Sequence, residues 1–296
     1  MRVGLCIPIG ERGPEFVPFR YREMRELAQA AESGGLDSIW VADHLFIRSD
    51  TGTDRGLWES MSMLAAMAEA TSRVELGPLV LCTPFRNPGM IAWAANSLDE
   101  ISDGRFVLGL GAGWHQPEFE AFGFDFDHKV SVFADALAII TPLLRDGHVA
   151  YEGRFSSGEA RIHPRGPRPS GPPILTAGSG PRMLGLTARF ADRWNSVWYG
   201  LPTDEFRDER RRLEEACAAI GRDPATIEVS AGIQVSDAAT VDANGPEKIV
   251  GRAPQILEAL RTWQAEGVTE VMCRMEPASV PLAAEISRAA AELRAA

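Results

Sequence analysis

Two hydrophobic rhythms alternate along this chain. Short, nearly unbroken apolar runs such as Ile39-Trp40-Val41 and Phe106-Val107-Leu108-Gly109-Leu110 are too short for helices and too apolar for surface strands, so they predict strands buried on both faces. Between them apolar residues return every three or four positions, the spacing of a helix with one face inward. The first strand is expected over 2–9, and the first helix carries Tyr21, Met24, Leu27, Ala28 and Ala31 until Gly34-Gly35 stops it. A strand over 38–42 leads through a polar loop to a helix marked by Met61, Leu64, Ala65 and Ala68. After a third strand over 74–81, Asn87-Pro88 gives a cap and first-turn proline for a helix with Ile91, Ala94, Leu98 and Ile101 inward. The fourth strand covers 106–110.

Residues 114–129 read as a loop rich in aromatics and acids, followed by a helix with Phe133, Leu137, Ile140 and Leu144 on one side. Over 147–173 the rhythm breaks: 149–155 reads as a small hairpin, and the prolines from Pro164 to Pro173 as a stiff connector rather than a domain linker. Strands over 174–177, 194–198, 227–235 and 269–275, with helices opening at Pro181 and covering 204–220, 255–265 and 280–293, complete the series. A doubly wound sheet alternates in the same way, but eight strands is the number that closes a barrel, and every interruption reads as a loop insertion. The expected fold class is α/β, a (β/α)8 TIM barrel with loop insertions at the C-terminal rim, forming one domain over 1–296. In such a barrel the C-terminal strand ends meet at one rim, which makes Asp43, His44, Cys82, Gly111 and Gly178 neighbours.

Composition narrows the class of partner. The 296 residues are 45% apolar with a formal charge of −11, and no apolar run approaches membrane-spanning length. Phosphate backbones need clustered cations, and the densest patch, Arg210-Arg211-Arg212, sits among acids as a solvated helix face, so neither a nucleic-acid nor a membrane partner is expected. The first residues enter a strand with no signal-peptide pattern, giving the expectation of a cytoplasmic protein. Cys6, Cys82, Cys217 and Cys273 are far apart and fit reduced, mostly buried thiols.

Candidate chemistry falls at strand ends. His44 can transfer protons near neutral pH, and Asp43 beside it either orients the ring or holds a nearby loop; the plainer alternative is a histidine that caps its strand. No second His or Cys stands at ligand spacing, so no metal is expected. In Gly109-Leu110-Gly111-Ala112-Gly113 the glycines leave a strand end without side-chain bulk, so that a flat ligand can lie against backbone. Gly178-Ser179-Gly180-Pro181-Arg182 follows a strand and opens a helix with proline first; it reads as a phosphate cradle or as a tight turn. Thr83 and Arg86 either meet a polar ligand or cap the next helix, and Trp114 and His115 either close over a ring or pack.

Taken in order, Trp40-Val41-Ala42-Asp43-His44, Pro84-Phe85-Arg86-Asn87-Pro88, Ser102-Asp103-Gly104-Arg105-Phe106 with the glycine run to Trp114, Gly178-Ser179-Gly180-Pro181-Arg182 and Ala191-Asp192-Arg193-Trp194-Asn195 resemble the luciferase-like monooxygenase superfamily, particularly its deazaflavin-dependent oxidoreductase branch. The resemblance covers nearly the whole chain and is specific to the superfamily, less so to its coenzyme branches. It implies a tricyclic coenzyme, F420 or alternatively FMN, at the C-terminal rim with its phosphate at residues 178–182. It also implies a non-prolyl cis peptide at Leu79-Val80 behind the ring, and His44 as the active-site histidine. The implied coenzyme contacts are Asp43, Leu79, Val80, Thr83, Gly111, Gly113, Gly178, Ser179, Gly180, Pro181 and Arg182, with Trp114 and His115 on the substrate side. Where sugar-phosphate dehydrogenases and some pterin reductases of the branch carry a catalytic glutamate after the fourth-strand glycines, this chain has Trp114, so their substrates are not carried over.

The resemblance thus implies hydride transfer between a deazaflavin and a small organic substrate, with His44 as proton donor or acceptor, in a homodimer. The alternative is an FMN monooxygenase in which reduced flavin activates dioxygen. A coenzyme carrier or sensor without turnover, or a metal-dependent hydrolase on the same barrel, are readings of other classes. Loops 46–56, 114–129 and 236–252 are expected to shape the substrate side.

Overall fold

The computed structural model describes residues 1–237 and 248–295. Eight parallel staves alternate with helices: β1 (Arg2–Cys6), β2 (Ser38–Val41), β3 (Glu75–Pro78), β4 (Leu108–Gly111), β5 (Ile174–Ala177), β6 (Arg193–Tyr199), β7 (Glu228–Ser236) and β8 (Glu270–Glu276). The hydrogen-bonded order runs β3, β2, β1, β8, β7, β6, β5, β4. A two-residue continuation of β3, Leu81–Cys82, pairs with β4 through Leu81 and Leu110 and through Cys82 and Gly111, and Leu76 bridges Phe106, which closes the wall into the expected (β/α)8 barrel. The close approach of β3 and β4 explains a glycine inside a buried strand: a Cβ on Gly109 would stand 2.0 Å from the Pro78 carbonyl oxygen.

The helices are α1 (Tyr21–Ser33), α2 (Ser60–Ala70), α3 (Pro88–Ile101), α4 (Gln116–Phe122), α5 (Lys129–Asp146), α6 (Pro181–Phe190), α7 (Asp204–Ala219), α8 (Ala253–Ala265) and α9 (Val280–Ala295). Asn87 caps α3 by accepting from Gly89 N and Met90 N, as the Asn-Pro pair predicts. Five expectations need correction. The third strand is broken: its ladder with β2 stops at Pro78 and its pairing with β4 begins at Leu81, with the cis Leu79-Val80 peptide between the two pieces. The fourth starts at Leu108, since Phe106 makes only the isolated bridge to Leu76. Ile101 is 48% exposed because the inward face of α3 is centred on Ala92, Ala95 and Asp99, and Asp99 is buried in an ion pair with Arg168. The 114–129 loop contains α4, and the small hairpin is wider than 149–155, pairing His148–Glu152 with Ser157–Arg161.

Side chains alternate across the staves. Trp40, Val107, Leu175 and Met272 fill the barrel interior, with Cys6, Leu79 and Val80 above them, while the outward set packs under the helices. The N-terminal end of the interior is charged and closed. Arg193 holds Glu75 with two bonds of 2.8 and 2.9 Å and lies 3.8 Å from Glu270, and Arg2 reaches Glu228 and Glu270. Glu270, fully buried, also accepts from Ser38 Oγ and Trp40 Nε1.

Candidate active site at the C-terminal rim

Asp43 lies just beyond β2 with a side chain only 4% exposed. Its carboxylate accepts from Ser60 Oγ at 2.6 Å, from the Cys82 amide at 2.8 Å and from both terminal nitrogens of Arg86 at 2.8 Å. Of its two sequence readings, these contacts are those of a group that holds loops: it ties the end of β2 to the start of α2 and to the far piece of the third stave. Arg86 is spent in the same knot. Burial works against its charge, but Asp43 and Glu59 hold its pKa above the ordinary value.

His44 is held from the opposite side by a residue that the sequence did not point to. Glu118, 1% exposed, places Oε2 2.8 Å from His44 Nδ1, and its Oε1 accepts from the Leu45 amide at 2.5 Å and the Phe46 amide at 3.3 Å. A carboxylate only accepts, so Nδ1 carries the proton of this bond and Nε2 is the nitrogen left for chemistry. Glu118 arrives there because α4 starts with Pro117 in its first turn and ends on the left-handed Gly123, while Phe119, fully buried, anchors the helix against Phe85 and Phe126. The signal was present as Pro117 and Gly123, helix start and stop marks inside what reads as a loop.

The Trp114 ring meets His44 edge-on at 5.5 Å and is 64% exposed, so it stands at the mouth. His115 is buried and differently employed: its Nε2 accepts from the Arg48 amide at 2.9 Å, fixing the ribbon that covers 46–56. Across the rim, Val80 packs on Gly111, where a Cβ would come within 2.6 Å of Val80 Cγ2, and Gly113 faces Cys82 and Phe119. Those two glycines are therefore accounted for by protein contacts as well as by any ligand. Burial pushes the Cys82 thiol pKa up, with Asp43 and Glu118 adding to the rise, so it is held protonated and unreactive.

One stave further on, Thr176 of β5 pairs with Leu110, which sets the turn after β5 beside the end of β4. Gly178 has φ +131°, a conformation that requires glycine, and its carbonyl accepts from Trp194 Nε1 at 3.2 Å. Gly180 has an ordinary φ of −68° with nothing within 4 Å of an added Cβ, so neither backbone nor packing demands a glycine there. Pro181 opens α6, and Arg182 reaches Ser131 Oγ at 3.1 Å. The structure thus gathers His44, Trp114, His115 and Glu118 into one cluster, sets Leu79, Val80, Thr83, Gly111 and Gly113 on the adjoining staves, and places residues 178–182 next to them. Residues 238–247 of the expected 236–252 loop lie outside the described residues.

Two observations fit a coenzyme at this rim. Thr83 Oγ1 is buried and has no hydrogen-bond partner, a polar atom that a ring edge would satisfy, and Gly180 leaves open space at a helix N-terminus that suits a phosphate. Among the described residues no three His, Cys, Asp or Glu side chains converge as a metal site needs, and no helix is long and apolar enough to cross a membrane.

Comparison with known proteins identifies a family and a fold. Residues 1–245 match the family model for luciferase-like monooxygenases. The pyrimidine monooxygenase RutA of Caulobacter vibrioides is 29% identical over 241 residues, 75% of this chain and 66% of that protein. The 5,10-methylenetetrahydromethanopterin reductase of Archaeoglobus fulgidus is 34% identical over 182 residues, 61% of this chain and 51% of the reductase, so the match spans half to two thirds of these relatives. The coenzyme F420 dependent tetrahydromethanopterin reductase of Methanopyrus kandleri superposes with a TM-score of 0.80 at 19% identity, covering 97% of each chain.

Proposed function

The chain belongs to the luciferase-like monooxygenase family, whose members compared above are oxidoreductases, and from that premise we propose that it is a coenzyme F420-dependent oxidoreductase acting on a small organic substrate. The observation that carries the reading is the His44–Glu118 pair at the end of β2, on the same C-terminal rim as the glycine turn that opens α6. When bound, the deazaflavin supplies hydride transfer. The chain supplies the rest. Leu79, Val80 and Gly111 present a flat apolar wall, Thr83 an unpaired hydroxyl, and residues 178–182 with their helix end the phosphate cradle. Asp43 acts through Cys82 and Arg86, fixing the wall rather than touching the ring. Glu118 orients His44 so that Nε2 can give a proton to, or take one from, the substrate oxygen or nitrogen next to the reacting carbon. Trp114 limits access of water at the mouth.

The likeness to RutA over 75% of the chain favours a second reading, an FMN-dependent monooxygenase on the same rim. The two separate in one experiment: titration of the protein with each coenzyme, followed by absorbance and fluorescence. Tight binding of the deazaflavin supports the first reading; flavin binding without deazaflavin binding reverses the order, and binding of either with no turnover over a substrate panel makes the protein a carrier. A homodimer is part of the same proposal, read by light scattering.

A further inference from the structure

Among the described residues, an arginine on the inner wall of the barrel stands without a carboxylate partner. On β8, Met272 belongs to the interior cluster while Val271 and Cys273 pack outward under the helices. The same alternation turns Arg274 inward, two residues closer to the open end, with Cys6 of β1 and Gln234 of β7 as its register neighbours. Arg274 is solvent-exposed, and its guanidinium lies over the Trp198 ring, 5.6 Å from the centroid. The nearest carboxylate along the strand, Glu276, accepts instead from Gln234 Nε2 at 2.8 Å. Among the described residues Arg274 has no ion pair and no hydrogen bond, whereas Arg193, inward at the other end, has carboxylates on several sides.

A guanidinium steadied on an indole face, flanked by an amide and a thiol and open to the mouth, is a fork waiting for an anion. We propose that Arg274 binds an anionic group of the substrate, a carboxylate or its phosphonate or sulfonate equivalent, so that the molecule turned over is a small organic acid. The assignment rests on the coenzyme-dependent reading of the rim. Cys6 pairs with both Arg274 and Trp40, so Arg274 lies about 10 Å across the wall from Trp40, and His44 stands two staves away and four residues further out; an organic acid that reaches from one to the other has its anion at one end and its reacting carbon at the other. An anionic part of the coenzyme has the same chemistry, and the test separates the two sources.

Wild type, Arg274→Gln and Arg274→Lys are first titrated with the coenzyme; the loaded and the coenzyme-free proteins are then titrated calorimetrically with benzoate, phenylphosphonate and the neutral benzyl alcohol. The expected result is that at least one anion binds wild type better than benzyl alcohol, that Arg274→Gln lowers that affinity by about tenfold or more, that Arg274→Lys recovers part of it, and that coenzyme affinity changes by less than about twofold. Anions that bind no better than benzyl alcohol, or equally well to Arg274→Gln, overturn the proposal. A loss confined to coenzyme affinity overturns it too, since Arg274 would then serve the coenzyme. Failure of both coenzymes to bind wild type defeats the rim reading, and the coenzyme-free titrations still decide whether Arg274 takes an anion.

Discussion

The two ends of the barrel treat buried charge in opposite ways. At the N-terminal end Arg2 and Arg193 meet Glu75, Glu228 and Glu270, and each arginine is shared among all three carboxylates. At the C-terminal end Asp43 and Arg86, with Glu59, form such a closed knot. His44 gives one nitrogen to Glu118 and keeps the other; among the described residues Thr83 Oγ1 has no hydrogen-bond partner, and Arg274 rests on the Trp198 ring with neither an ion pair nor a hydrogen bond. The same staves build both ends: β2 begins at Ser38, bonded to Glu270, and leads out to His44, while β8 carries Glu270 at one end and Arg274 near the other. A network that satisfies itself can only stabilise; one left open can bind.

The contrast breaks most severely at the closed end. Arg193→Ala leaves Glu75 and the fully buried Glu270 short of their counter-charge, and breaking one side of a buried pair costs about 3–5 kcal/mol. Urea unfolding is expected to show that loss, while coenzyme affinity of the folded fraction changes by less than about twofold. A variant as stable as wild type would mean the network is not the brace it looks like. The opposite signature belongs to His44→Ala: turnover falls by at least ~10²-fold, about 2.7 kcal/mol of barrel-mouth chemistry, with coenzyme binding kept. Equal turnover removes His44 from catalysis.

The sequence revealed the two ends unequally. The barrel was legible because its signals are local: apolar runs alternate with helical spacing, Asn87-Pro88 and Pro181 mark helix starts, and Gly34-Gly35 a stop. His44 and the 178–182 turn were legible for the same reason, as polar or glycine residues at the ends of apolar strands. Glu118 was not, because its role depends on a contact 74 residues away in sequence and on a short helix hidden in a loop. Arg274 was passed over because an arginine near a strand end is ordinary until register and parity show which way it faces. The charged plug was hidden likewise: Glu75, Arg193, Glu228 and Glu270 begin four different strands, and only the closure of the barrel brings them together.

Glu118→Gln sharpens the contrast with a smaller effect. The amide oxygen can still accept from Leu45 N and Phe46 N, but its nitrogen now meets His44 Nδ1, so the imidazole must reverse its tautomer or lose the bond. A drop of about tenfold in kcat with little change in KM is expected, together with a shift in the 15N resonances of the His44 ring; loss of stability without either change would make Glu118 a structural residue only.

The smallest effect tests whether the closed end is wholly closed. Glu270 has one oxygen bonded to Ser38 and Trp40, but its Oε2 has no hydrogen bond and only faces Arg2 and Arg193. Burial raises its pKa, and Arg2, Ser38 and Arg193 offset the rise only in part. Glu75 goes the other way: burial alone would raise it, but the bonds and charges of Arg193 and Arg2 hold it below the usual carboxylate range. A carboxyl with a raised folded pKa stabilises fully below its unfolded value of about 4.3 and loses that contribution as pH rises through the folded value. Glu75 instead contributes above its unfolded value and is lost as pH falls through its folded one, in wild type and variant alike. Glu270→Gln removes the first dependence while keeping an acceptor for Ser38. Its unfolding free energy relative to wild type should therefore climb as pH rises from about 4.3 through the raised folded pKa of Glu270 and level off above it. A difference that stays flat with pH would mean that the two arginines neutralise Glu270 completely, and that the closed end holds no residual cost of burying charge.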